Sequence, residues 1–427
     1  MLTLLLIVLI VLLLMGFPMM VPLTAAALAL MLTHFGSLEP NLLVQQMIGG
    51  VKPTVLVAVP MFIFAADLMT KGHTADRLLD LVQRFVGHLR GGLPITTAVS
   101  CTLFGAVSGS TQATVVAMGG PLRPRLIQAG YSDSFATGLI INASDIALLI
   151  PPSIGMIIYG VVSGTSVAEL FIAGIGPGLL ILLLFSVYCY IYSRVKNIPT
   201  RERAGWGERL RAVRSALLPL GFPVIIIGGI YSGMFSPTEA AAMSVLYALV
   251  LEVIVYRAVS LRQVPEVALS TGLITAVVFI LVAAGAAFSW MISFAQLPSQ
   301  LLGGFVANAA DQPNTVLMVI ALSYFVGCMF VDPIVVILIL TPIFAPAISA
   351  AHVDPVHVGA IVTLQAAIGS ATPPFGCDIF TAMAVFRRPY LDTIRGTPPF
   401  IVILLFATLL LIFFPPIALF LRDLAFG

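Results

Sequence analysis

Apolar stretches of bilayer-crossing length recur along this chain, and nothing limits its fold more. Residues 54–70, 170–192, 271–292 and 398–421 each come close to or exceed the ~20 residues an α-helix needs to cross the hydrocarbon core. A backbone in lipid must satisfy its own polar groups, so segments of this kind fold as helices. Hydrophobic residues make up 60% of the 427 residues and charged residues 9%, with a mean hydropathy of +1.11, far outside the range of soluble domains. The expectation is an all-α polytopic membrane protein in one membrane domain, with room for about ten spans. The first fifteen residues lack a basic n-region and a small-residue cleavage site, so residues 2–33 read as a first helix with a bend at Gly16, Pro18 and Pro22.

A second regularity is an internal duplication at an offset of 222 residues. It carries Gly105 onto Gly327, Pro124 onto Pro346, and Pro151-Pro152 onto Pro373-Pro374. The polar break Ser108–Thr111 falls on Phe330-Val331-Asp332-Pro333. Repeats of this kind in an apolar chain point to a transporter with its site near the bilayer midplane. Repeat 1 covers about 54–162 and repeat 2 about 271–386. The first half of the chain is 1–193 and the second 215–427, joined by a hydrophilic linker at 194–214.

Within repeat 1, residues 74–85 carry apolar side chains at helical spacing opposite charges, as expected of a helix lying in the interface. Residues 93–107 and 112–128 are short for spans and meet at small polar residues, which predicts a re-entrant hairpin, 93–128. Residues 135–162 form one long apolar segment broken at Pro151-Pro152, a discontinuous helix. Repeat 2 returns an interfacial helix at 297–308, a hairpin at 315–350 and a broken helix at 356–386. The fold class expected is therefore two inverted repeats, each with a re-entrant helical hairpin and a discontinuous helix.

Charge supports the inversion. With the 194–214 linker in the cytoplasm and crossings counted outward, eighteen of the twenty Lys and Arg residues fall on the cytoplasmic side, leaving Lys52 and Arg422 outside. The count opens the first hairpin to the cytoplasm and the second to the outside, and it places the N-terminus in the cytoplasm.

Two hairpin tips approaching the bilayer centre from opposite faces, each beside a helix break, would bring four half-helix ends together. N-terminal ends carry positive dipoles suited to an anionic substrate, and unwound carbonyls and hydroxyls suit a desolvated cation such as Na⁺. The candidate substrate- and ion-binding residues are Ser108, Gly109, Ser110, Thr111, Asn142, Ser144, Asp145, Pro151, Pro152 and Ser153 in the first cluster. The second comprises Asp332, Ser370, Thr372, Pro373, Pro374, Gly376 and Asp378. A carboxylate inside a membrane costs about 2.5–3.5 kcal/mol on insertion scales, so Asp145, Asp332 and Asp378 are functional candidates. Asp67, four residues before Lys71, reads instead as a helix-end charge.

Other chemistries lack their signatures. The five histidines include no H-E-x-x-H, and there is no G-x-x-x-x-G-K-[ST] phosphate loop, which argues against a zinc enzyme and an ATPase. The four cysteines show no C-x-x-C spacing, so neither a disulfide framework nor a metal cluster is indicated. A net charge of +2 gives no reason to expect nucleic acid.

Phe104-Gly105-Ala106-Val107-Ser108-Gly109-Ser110, Ala129-Gly130-Tyr131-Ser132, Leu149-Ile150-Pro151-Pro152-Ser153-Ile154 and Ile339-Leu340-Thr341-Pro342-Ile343-Phe344 together resemble the large membrane subunit of tripartite ATP-independent periplasmic (TRAP) transporters, over essentially the whole chain. The resemblance implies an elevator mechanism, a sodium gradient as driving force with no other cofactor, and location in the bacterial inner membrane. It also implies two partners, a small four-helix membrane subunit on a separate chain and a soluble periplasmic binding protein. The substrate implied is a small organic acid carrying a carboxylate. One departure is Ser144-Asp145-Ile146-Ala147, where small Gly and Thr residues are expected before the Pro-Pro break. Asp145 is thus a candidate to replace a neutral sodium ligand or to carry a proton. The alternatives are a stand-alone ion-coupled carboxylate carrier, an intramembrane enzyme using aspartates, and a passive channel or scaffold.

Overall fold

The computed structural model describes residues 1–200, 202–307 and 312–426, and among them there are helices and loops but no strand. Arg201 of the expected linker and Asn308 of the expected interfacial helix lie outside the described residues. The first group of helices is α1 (Leu2–Leu14), α2 (Met20–His34), α3 (Asn41–Val51), α4 (Ala58–Lys71, entered through a 3₁₀ turn) and α5 (Thr74–Val86). The first hairpin is α6 (Gly92–Ser108) and α7 (Thr111–Gln128), and the first broken helix is α8 (Asp133–Ser144) with α9 (Ile154–Ser163). The connecting helices are α10 (Val167–Val195), α11 (Trp206–Tyr231) and α12 (Pro237–Leu249).

The second group is α13 (Val264–Phe294) and α14 (Leu297–Ala307), then the second hairpin, α15 (Pro313–Phe330) and α16 (Pro333–Ala350). The second broken helix is α17 (Pro355–Ser370) with α18 (Cys377–Phe386), and the chain closes with α19 (Tyr390–Ile394), α20 (Pro398–Phe413) and α21 (Pro416–Phe426). Seven helices among the described residues are long and apolar enough to cross a bilayer, or eight with the bent pair α20–α21 taken as one.

The duplication is visible in the helix limits. An offset of 222 residues carries Thr111–Gln128 onto Pro333–Ala350, and it carries the ends of α6 and α15 onto one another at Ser108 and Phe330. Starts of α8 and α17 also coincide, at Asp133 and Pro355. Inversion is written in the contact between α3–α4 and α13. Thr271 near the start of α13 donates to Asp67 near the end of α4 at 2.9 Å, while a side chain at Gly50 would collide with Ala286 further along α13. The equivalent segments of the two repeats therefore run antiparallel along one another.

Within each repeat, small residues bring the hairpin onto the helix break. Gly105 of α6 lies on Ala147, and at the equivalent place Cys328 of α15 lies on Gly369. Larger side chains at either glycine would push the tip away from the break. Helix starts are fixed by short polar side chains that accept from free amides of the first turn: Ser132 for α8, Ser166 for α10, a Ser236–Glu239 capping box for α12 and Asp354 for α17.

The structure differs from the sequence expectation in four places. Residues 2–33 are two helices, and Leu5 of α1 shares one buried cluster with Leu23, Ala26 and Leu30 of α2, so the chain doubles back at residues 15–19. At 1.5 Å per residue a single bent rod would hold Leu5 and Leu30 about 37 Å apart. The count that put the N-terminus in the cytoplasm took this segment as one crossing. An antiparallel pair returns Met1 to the face that carries Phe35. Second, α3 lies in a stretch read as polar surface, yet it packs on α13 through Gly50. Third, Arg209, Arg211 and Arg214 of the expected linker belong to the first turns of α11. Fourth, the last span is bent by 55° at Phe414-Pro415, where proline removes a helix donor.

Candidate functional site

The two hairpin tips and the two helix breaks border a cavity of about 330 Å³, whose far wall is α4 and α13. Four helix N-termini face it. Ser110 to Ala113 open α7, Ile154 and Gly155 open α9, Asp332 to Ile334 open α16, and Cys377 opens α18. Each N-terminus presents unpaired amides and about half a positive charge. The remaining walls are apolar or small, including Ile63, Val116, Leu148, Ile274, Val278, Ile337 and Ala366. Among the described residues no Lys, Arg or His lines the cavity, and the acidic residues in its lining are Asp67 and Asp332.

Local chemistry explains how the chain makes these tips. Gly109 has φ +60°, the left-handed region open to glycine, and a side chain there would run into the Pro152 carbonyl. The first tip is thereby seated on the first break. Ser110 accepts from the Ala113 amide at 3.4 Å, and Ser108 shares a 2.9 Å hydrogen bond with Thr114, so the tip hydroxyls are partly engaged in holding the turn. At the second tip Asp332 accepts from the Ile334 amide at 2.9 Å. The second break is tied to its own hairpin by the Phe375 amide, which donates to the Met329 carbonyl at 3.1 Å. Both Pro151–Pro152 and Pro373–Pro374 peptide bonds are cis.

Of the residues expected at the site, Ser108, Gly109, Ser110, Thr111, Asp332 and Ser370 line the cavity. The others stand behind it. Ser153 caps α9 by accepting from the Met156 amide at 3.3 Å, which aims that N-terminus at the cavity. Ser144 and Thr372 donate to carbonyls of their own segments, Ile140 at 2.8 Å and Ile368 at 2.6 Å. Pro152 backs Gly109, the Pro374 carbonyl accepts from Tyr390 at 2.9 Å, and Gly376 lies against the Ser370 carbonyl.

At the site the first hairpin is joined to the second broken helix by Thr111, whose hydroxyl donates to one carboxylate oxygen of Asp378 at 2.7 Å. Both residues are buried, and Asp378 is 0% exposed. Its second oxygen has no partner among the described residues. Asp145 is also 0% exposed, and neither of its oxygens has one. The side-chain oxygen of Asn142, one turn earlier, is likewise unpaired, while its amide nitrogen donates to Gly138 at 2.8 Å. Asp145 and Asp378 lie within electrostatic reach of one another. Four buried side-chain oxygens of Asn142, Asp145 and Asp378 thus have no hydrogen-bond partner among the described residues. Buried carboxylates are costly unless a cation or donor meets them, and hard oxygen sets suit hard cations.

Of the cavity residues with a polar or sulfur-bearing side chain, Asp67, Gln112 and Cys377 escaped the sequence reading. Asp67 is a half-buried residue of the cavity wall rather than a charge at a helix end. The signal that could have found it is a carboxylate inside an otherwise uncharged run of apolar residues.

Paired inverted repeats, hairpins ending inside the molecule and one central cavity define a membrane transporter. The chain belongs to the DctM component family of tripartite ATP-independent periplasmic transporters, whose family model matches residues 6–417. It is 67% identical over 419 residues to the ectoine/5-hydroxyectoine TRAP transporter large permease protein UehC of Ruegeria pomeroyi, covering 98% of each chain. Identity is 65% over 416 residues to the ectoine TRAP transporter large permease protein TeaC of Halomonas elongata, covering 97% of each. The C4-dicarboxylate TRAP transporter large permease protein DctM of Pseudomonas aeruginosa is 39% identical over 85% of each chain. Among solved structures, the Alcanivorax borkumensis YdaH transporter superposes with a TM-score of 0.62 at 16% identity, covering 87% of this chain and 86% of that one, a likeness of fold.

The chain is accordingly the large subunit of a TRAP transporter, a multi-pass inner-membrane protein and a transport component rather than an enzyme. A small membrane subunit and a periplasmic binding protein are the other two components.

Proposed function

We propose that this subunit imports a small zwitterionic solute of the ectoine type, driven by sodium, by moving the two hairpins and broken helices as one body past the remaining helices. The observation that carries the reading is the single cavity into which four helix N-termini and two carboxylates project. Helix N-termini favour a carboxylate, and Asp67 and Asp332 favour a positive charge. Ectoine is a cyclic amidine bearing a carboxylate, zwitterionic at neutral pH. A small carboxylate-type substrate was expected from sequence, and the absence of any basic residue in the lining argues for one that also carries a cation. The identity to the UehC and TeaC permeases supports the same class.

For sodium, the fit rests on the unpaired oxygens of Asn142, Asp145 and Asp378. These residues would hold the ion, and the ion would supply the charge that two buried carboxylates need. Thr111 positions Asp378 by occupying one oxygen and leaving the other free. Asp145 in this account is a charged ligand in a place where a neutral one was expected.

The Thr111–Asp378 bond joins hairpin 1 to broken helix 2, which supports movement of both repeats' site elements as one body. In the orientation that follows from charge, α4 ends at the cytoplasmic face and the antiparallel α1–α2 pair puts Met1 on the outer face. The small subunit is read as a four-helix chain docking in the membrane.

The test is uptake of labelled ectoine into proteoliposomes holding both membrane subunits, with the binding protein supplied outside. Accumulation that needs an inward sodium gradient and the binding protein supports the reading. Accumulation without the binding protein would favour a stand-alone carrier, and equal uptake with potassium would remove sodium as driver.

A further inference from the structure

Resting on the zwitterion reading above, we infer that Asp67 is the residue that selects for the positive end of the substrate. It belongs to α4, outside the hairpins and broken helices, so it contributes to the cavity from the wall past which they would move. One of its oxygens accepts from Thr271 on α13 at 2.9 Å, which fixes the carboxylate between two long helices. The other oxygen has no hydrogen bond among the described residues, and the residue is half-buried at the cavity. Lys71, one turn further along α4, makes no ion pair with it among the described residues.

Asp67 differs from the other acids around the site. Asp332 caps α16 with one oxygen and belongs to the second hairpin itself, and Asp378 holds Thr111. Asp145 lies behind the cavity lining. Asp67 alone among the four lines the cavity from outside the hairpins and broken helices, with one oxygen fixed by a neighbouring long helix and the other without a hydrogen bond among the described residues. A substrate whose carboxylate points at the helix N-termini would turn its cationic end toward such a wall residue. A free dianion there would meet Asp67 with like charge and, among the described residues, no Lys, Arg or His in the cavity lining.

Because α4 stays behind when the hairpins move, the contact belongs to one of the two alternating states. Asp67 lies four residues from the cytoplasmic end of α4, so that state is the inward-facing one in the orientation adopted above. Selection would then act twice, once in the binding protein and again at the inner wall before release.

The experiment is equilibrium binding to the purified complex of the two membrane subunits, in sodium at neutral pH. The probes are ectoine and pyroglutamate, a cyclic carboxylate of similar size without the cation. Variants are Asp67→Asn, which keeps an acceptor for Thr271, and Thr271→Val, which removes the tether but leaves the charge. We expect Asp67→Asn to weaken ectoine binding tenfold or more and to leave pyroglutamate unchanged or tighter, with Thr271→Val producing a smaller loss for ectoine. An Asp67→Asn protein with wild-type ectoine affinity would overturn the assignment, as would equal losses for both probes, which denote a structural defect. Absence of ectoine binding in the wild-type complex would instead sink the zwitterion reading on which it rests.

Discussion

Replacing Thr111 by Val tests how the two repeats are joined. The hydroxyl donates to Asp378 at 2.7 Å in a place where both side chains are buried, and valine fills nearly the same volume. The change therefore removes a hydrogen bond with little repacking. Since the other Asp378 oxygen is already unpartnered, the variant leaves that carboxyl without a donor altogether. Hydrogen bonds to charged groups contribute about 1.5–3 kcal/mol, so the unfolding equilibrium should shift by roughly tenfold to a hundredfold. Asp378→Asn keeps a carbonyl that can accept from Thr111. In the Thr111→Val background that carbonyl has lost its donor, so the two changes should be non-additive by about 1 kcal/mol or more, as expected of directly bonded groups. Equilibrium unfolding in mixed micelles, run as a double-mutant cycle, measures both quantities. A Thr111→Val loss below about 0.5 kcal/mol, or additivity within that margin, would refute the claim that this bond ties hairpin 1 to broken helix 2.

Two further predictions follow from the glycine turns and the Arg422 ion-pair network. Gly109→Ala should destabilise by more than the ~1–2 kcal/mol of left-handed strain, because its Cβ also meets Pro152. Gly164→Ala, at φ +74° with open space around it, should carry the strain alone, and unfolding of the two variants side by side reads the difference. Arg422 joins α21 to Glu169 at 3.3 Å and to Asp354 at 2.7 Å. Burial works to raise the Asp354 carboxyl, but the Arg422 guanidinium and the Val356 amide hold it below the usual carboxylate range. A depressed carboxylate stabilises the fold above its unfolded value of about 4 and loses that contribution as pH falls through the folded value. Arg422→Ala should therefore lower thermal stability at neutral pH, and the gap to wild type should narrow in acid. A gap independent of pH would count against the ion pair as its source.

Much of the fold could be read from residues alone, because its limits lie at breakers with local causes. Gly109 and the Pro151-Pro152 pair mark the tip and break of repeat 1, and the 222-residue offset carries the pattern to Asp332 and Pro373-Pro374. The amphipathic helix at Thr74 and the short hairpin arms needed only periodicity and length. What escaped was tertiary. Nothing local says that Leu5 joins a buried cluster with residues of α2 and not lipid, since it is apolar and either environment suits it. Proximity to Lys71 made Asp67 look like a helix end, whereas its partner Thr271 lies 204 residues away in sequence. The Thr111–Asp378 bond was equally hidden, as it depends on how two inverted repeats interlock. Composition named Asp145 and Asp378 as candidates, but only the packing shows which of their oxygens are left without partners.

The most direct test of the account is the thermal stability of the purified protein in Na⁺ against K⁺ at matched ionic strength, with Asp145→Asn alongside. A cation held by the folded state adds RT ln(1 + [L]/Kd), about 2.7 kcal/mol at a hundred times Kd. If the unpaired oxygens of Asn142, Asp145 and Asp378 hold the coupling ion, sodium stabilises the wild-type protein, potassium does not, and the sodium increment disappears in Asp145→Asn. Equal stability in the two salts, or a sodium increment that survives in Asp145→Asn, would contradict it.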